Sequence, residues 1–418
     1  VTQEDIDYWT GTRKGPGKIV AVLLADKYED TLRQYAGLSL VRMEPRPSTP
    51  ETDPVDGVSE LQAALRRIED TEARTRIVDG MADGLIEMMG GPDAAEAAEE
   101  SERVPPLQIR AKDTAFLVLP YASEPVRGRL TEAVVDWFVV DFDERNRLGN
   151  YSAEQVVRQL GAPAAARLVD AISVPRTPND TPALVKIAEL IASLGDEATK
   201  SRAAERLVEI ERELESEEYF EWLRGRLRNQ LAERQPDDPD GEEDDEDAEA
   251  DENRIRAAAM LNRENFINLG VLPAMKHLNE EEVVQDRLLA MAQRREQERA
   301  TPAQIAERRK KALQAMEGGV REDQVDALLD LALNTEEPLE VRDYAFDRIA
   351  DAQSTSALAR LWPVFAEAAD DDWRIRWRVG SLILTLGGED VAQRFFSTLD
   401  EGRYAREELY GYGERLSQ

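Results

Sequence analysis

The sequence has 418 residues, no cysteine and a single histidine, which excludes disulfides, thiolate metal centres, cysteine nucleophiles and histidine-pair metal sites. Its 86 acidic against 53 basic side chains leave a net charge of −33. Such a field repels phosphate backbones and anionic lipid surfaces, so general nucleic-acid binding is excluded, and no run approaches the ~18 apolar residues that span a bilayer.

In chain order, the first feature is a glycine-rich basic turn, residues 11–18. It is not a P-loop: that pattern needs glycine where Thr12 stands and Ser or Thr where Ile19 stands. Residues 19–24 are apolar and are assigned to a helix. Leu32-Arg33 follows, with Ala36 and Leu40 three and seven residues past the arginine. Residues 45–57 and 90–106, rich in Pro, Gly, Ala and Glu, read as surface loops. Residues 134–142 are also assigned to a helix, because Val134, Trp137, Phe138 and Asp141 fit one face. Thr181 as N-cap, Pro182 in the first turn and Gly195 at the end predict a helix with Leu184, Ile187, Leu190, Ile191 and Leu194 along one side.

From 237 to 252 twelve of sixteen residues are acidic and none is basic. Like charges that bury no apolar surface predict a solvated, disordered linker over 236–252. It divides the chain into helical regions 1–235 and 253–418. The linker is not a calcium loop, since Pro236 stands at the essential first position of the EF-hand register. His277, the one histidine, lies beside Met275 and Leu278 and reads as a surface or core-edge residue. Thr301, Pro302 and Gln304 predict a capping box at the start of a helix that Gly318-Gly319 ends. Arg308, Arg309, Lys310 and Lys311 on that helix read as a solvated basic face.

The frame at Arg33 recurs at Arg309 (Ala312, Met316), Arg342 (Ala345, Ile349) and Arg376 (Val379, Ile383). The last three arginines are 33 and 34 residues apart, a length that fits one helical hairpin. Acidic stretches precede two of them, Glu336-Glu337 and Asp370-Asp371-Asp372, as suits a helix N-terminus. These frames resemble the HEAT-repeat family, in which the second helix of each hairpin carries an apolar residue plus arginine near its start, after an acidic turn. The resemblance implies an all-α, HEAT-like α-solenoid, right-handed, of stacked antiparallel helical hairpins interrupted by the acidic linker. The opening Trp9-Thr10-Gly11-Thr12-Arg13-Lys14-Gly15-Pro16-Gly17-Lys18 looks like the start of mature HEAT-repeat lipoproteins of gliding Gram-negative bacteria. That likeness implies a lipidated cysteine upstream of Val1 and a place in the cell envelope, at the periplasmic face, touching membrane only through the anchor.

Stacked hairpins offer a long surface and no built-in reaction chemistry. The expected function is therefore a non-catalytic scaffold or adaptor for a protein partner or a second copy, with no metal and no cofactor. Two other readings stand beside it. One is an all-α, carboxylate-dependent glycan-active enzyme, which 86 acidic residues permit without pointing to any pair. The other is a cytoplasmic scaffold of a halophile, which the acidity and the 9 lysines against 44 arginines also fit. The candidate partner-binding residues are Trp373, Arg374, Trp377 and Arg378, the one aromatic-basic cluster. The competing reading of that cluster packs both tryptophans between repeats while Arg376 pairs with a carboxylate. Arg33, Arg309, Arg342 and Arg376 are the expected structural arginines of the repeat.

Overall fold

A computed structural model describes residues 1–45, 56–90, 106–145, 152–178, 180–234, 245–296, 300–367, 373–399, 404 and 406–416. Every regular element among them is helical, and none is a strand. The chain forms two compact units, Val1–Ala171 and Ile172–Gln418.

In the first unit the helices are α1 (Gln3–Thr10), α2 (Gly15–Leu24), α3 (Asp30–Arg42), α4 (Gly57–Arg67), α5 (Thr71–Met89), α6 (Pro106–Val118), α7 (Glu124–Arg145), α8 (Ser152–Leu160) and α9 (Ala162–Leu168). Several begin where a side chain takes over a free amide of the first turn. Thr2 and Asp5 form a reciprocal capping box on α1, and Asp56 and Asp70 accept from amides of α4 and α5. Residues 19–24 lie in α2 and 134–142 in α7, as expected. Helix α3 packs on α1, α2, α4, α5 and α6. The core gathers round it, with Ile19, Leu23, Ala36, Leu40, Leu61, Ile77 and Met81 all fully buried.

The second unit continues with α10 (Asp180–Leu194), α11 (Glu197–Glu215), α12 (Glu217–Arg234), α13 (Asp245–Asn265), α14 (Leu272–His277), α15 (Glu282–Gln293), α16 (Pro302–Ala315), α17 (Val325–Leu333), α18 (Leu339–Ala352), α19 (Leu358–Glu367), α20 (Trp373–Leu386), α21 (Glu389–Thr398) and α22 (Arg406–Leu416). Between α13 and α14 the segment Phe266–Val271 widens into a π-helix. Pro273, which cannot donate to the carbonyl four residues back, follows directly, so the register change falls where the α-helical ladder is already broken.

Three pairs pack closely, α15 with α16, α17 with α18, and α19 with α20, and the second helices α16, α18 and α20 also pack against one another in series. The predicted capping box of α16 is present in both directions. Thr181 departs from its expected role. Helix α10 begins at Asp180, two residues before the expected first helical residue Pro182, the Asp180 carboxylate accepts from the Arg176 and Thr177 amides, and the Thr181 hydroxyl donates to the Pro178 carbonyl.

The acidic stretch lies within the second unit, and its residues 236–244 are outside the described ones. Residues 245–252, expected as solvated chain, instead form the first two turns of α13. Glu252 is also tied down, pairing with Arg228 at 2.8 Å and with Arg224, both on α12.

Candidate functional site

The four repeat frames place their apolar members identically. Ala36 and Leu40, Ala312 and Met316, Ala345 and Ile349, and Val379 and Ile383 are all at 0% exposure. Their arginines are buried beside them, and three share one contact. Arg33 Nε donates to the Leu23 carbonyl (2.9 Å), Arg309 Nε to Ala292 (2.7 Å) and Arg342 Nε to Ala332 (3.0 Å). Each acceptor is the penultimate residue of the helix before the arginine's own, α2, α15 and α17. The last carbonyls of a helix have no partner within it. A guanidinium held there satisfies one of them and sits at the negative end of the dipole.

Carboxylates of the acidic turns pair with two of these arginines. Arg33 lies 3.4 Å from Asp26 and 3.6 Å from Asp30. Arg309 Nη1 lies 2.6 Å from Glu337, which also meets Arg295 at 2.8 Å. Burial works to raise the Glu337 carboxyl, but Arg309 and then Arg295 outweigh it and hold it below the usual carboxylate range. The acidic stretch 370–372 lies outside the described residues.

Arg376 differs. It meets Glu408 through two parallel hydrogen bonds, Nε–Oε1 2.8 Å and Nη2–Oε2 2.7 Å, with both side chains at about 1% exposure or less. Tyr412 donates either to Glu408 (2.9 Å) or to the Arg376 carbonyl (3.1 Å). Burial, then the Glu408 charge, lifts its phenol above the ordinary range. Helices α20 and α22 meet here through glycines. A Cβ on Gly380 would collide with the Tyr412 ring, and one on Gly411 with the Trp377 indole nitrogen.

On the outer side of α20, Trp373, Arg374, Trp377 and Arg378 line one open groove of about 610 Å³, together with Leu339, Asp343, Ile375, Tyr410 and Gly411. Both tryptophans are partly buried, so each packs against the fold and still shows a face. Leu339 and Tyr410 are 50% and 71% exposed, unusual for such large apolar side chains. Arg378 is engaged, donating to Asp343 (3.0 Å) and Asp347 (3.2 Å). Arg374 is exposed, its guanidinium 5.7 Å from the Trp373 ring. The structure thus brings the four candidate residues together and joins to them Leu339 from α18 and Tyr410 from α22. No sequence signal marked those two, because they reach the groove from 34 residues before Trp373 and 33 residues after Trp377.

Arg308 and Arg309 correct a sequence reading. Rather than a solvated face, both are buried at 3% and 4%. Arg308 enters an ion network that also went unseen, pairing with Glu215 and Glu264. Glu215 accepts in addition from Arg294 (2.7 Å) and Arg287 (3.3 Å), and Arg287 Nε donates to the fully buried Glu211 (2.6 Å). Burial, reinforced by the charge of Glu215, outweighs Arg287 and pushes the Glu211 carboxyl up to about 7. Glu215 is held low by its three arginines although burial opposes this. His277 is a surface residue, its imidazole held below the ordinary range mainly by partial desolvation.

Among the described residues no group of three or more acidic or histidine side chains is arranged to hold a metal ion, and no helix is long and apolar enough to cross a membrane. No protein-family model matches the chain, and no curated protein matches it.

Proposed function

We propose that the protein is a non-catalytic scaffold, a HEAT-like α-solenoid that binds a protein partner through the groove at Trp373 and Trp377. The observation that carries this reading is the groove itself. Two tryptophans, two arginines and two strongly exposed apolar side chains converge on one open concavity. Trp, Tyr and Arg are the residues that dominate measured binding hot spots, because they combine a large apolar face with directed polar groups. The serial packing of α16, α18 and α20, with the arginine-to-carbonyl contact repeated in α3, α16 and α18, supports the repeat architecture. On the likeness of residues 9–18 to mature lipoproteins, we place the protein in a bacterial envelope assembly, anchored by lipid at the periplasmic face.

The test is recovery of partners from native membranes and from cytosol with the wild type and with Trp373→Ala/Trp377→Ala, at physiological and at about 0.5 M salt, where screening shortens well below ~8 Å. A specific partner retained by the wild type at both salt concentrations and lost in the variant is the expected result. Equal recovery by both proteins rejects the groove. Finding the wild type only in the cytosol rejects the envelope placement.

A further inference from the structure

Resting on the reading that the groove is a docking site, we infer that its occupant is an acidic segment of another protein, carrying an aromatic or large aliphatic anchor with a carboxylate beside it. The anchor seats between Trp373 and Trp377, and the carboxylate meets Arg374.

The charges of the wall lead to this. Arg378 is neutralised in place by Asp343 and Asp347, and Asp343, the acidic side chain among the described residues that line the groove, is thereby spent. Arg374 has no carboxylate partner among the described residues and lies against the Trp373 ring, exposed. Among the described residues the groove therefore presents Arg374 as a cation without a carboxylate partner, next to an aromatic face. Leu339, the first residue of the 14-residue helix α18, forms another part of the wall, and no side chain caps that helix.

The net charge of −33 does not reverse this preference. Screening over ~8 Å at physiological salt leaves the contact to the nearest charges, while the distant field acts on the encounter rate.

A library of random twelve-residue peptides displayed on phage reads the preference directly. It is selected on the full chain, and in parallel on Trp373→Ala/Trp377→Ala and on Arg374→Glu. Because Arg374 is exposed, its reversal leaves the fold intact even where the double tryptophan variant unfolds, which circular dichroism monitors. Wild-type selection is expected to enrich peptides with Phe, Trp, Leu or Ile within two or three residues of Asp or Glu. Synthetic versions of these should bind Arg374→Glu about fivefold or more weakly, the scale of one exposed charge contact. Enriched peptides that depend on the tryptophans but lack acids, or carry Lys or Arg there, overturn this inference and leave the docking site standing. Peptides that bind wild type and folded tryptophan variant alike overturn both.

Discussion

Arg309 ties two parts of the second unit together: its Nε caps the carbonyl of Ala292 at the end of α15, and its Nη1 pairs with the buried Glu337 ahead of α18. Removing such a group leaves a buried carboxylate short of a partner, a loss of typically ~3–5 kcal/mol. Arg309→Ala should therefore fall near that range in urea unfolding. Arg309→Ala combined with Glu337→Gln should cost less than the two single variants together, because neither charge is then stranded; strict additivity would show that the pair is not coupled. Glu211 makes the opposite kind of statement. Its carboxyl titrates near 7 in the folded protein and near 4.5 when unfolded. Above 4.5 the unfolded chain releases a proton that the folded one keeps, so this group's stabilising contribution is present below that value and is lost as pH rises through about 7. The change amounts to roughly 3 kcal/mol between the two ends. Glu211→Gln should lack this component, so the gap in melting temperature between wild type and variant should shift in the variant's favour from pH 5 to pH 8. A constant gap would place the Glu211 proton elsewhere. The frame arginines were legible as a spacing but their partners were not: the Arg308 contacts span 44 and 93 residues. A basic run on a helix gives no sign of which members turn inward until the acids of α11 and α13 are seen facing it.

At the scale of elements, the close approach of α20 and α22 decides how the groove is built. Gly380 and Gly411 let the two helices meet with Tyr412 and Trp377 filling the space between. Gly380→Ala must displace the buried Tyr412 ring or the helix, an overpacking cost of about 1–3 kcal/mol. Gly411→Ala should instead push Trp377 outward, red-shifting its fluorescence emission; an unchanged spectrum would mean that the contact is loose. Helix positions were readable wherever a cap and an apolar stripe coincided, as in α16 with its Thr301–Gln304 box. Residues 245–252 show where that reasoning stops. Composition alone reports repulsion among carboxylates, while in the fold Arg224 and Arg228 receive Glu252.

For the whole molecule, the proposed scaffold role rests on the recurring arginine-to-carbonyl contact and on the groove. The candidate site was half legible: tryptophans four residues apart mark one helical face and arginines four apart another, whereas Leu339 and Tyr410 belong to it only through packing. The most direct test is site-specific photocrosslinking in the native host. A photoreactive residue is placed at Leu339 or Tyr410, in the groove, and at Tyr8, an exposed residue of the first unit. The account predicts one and the same discrete adduct from both groove positions, absent from Tyr8 and abolished by Trp373→Ala/Trp377→Ala. No adduct from the groove, or the same adduct from Tyr8, would contradict it.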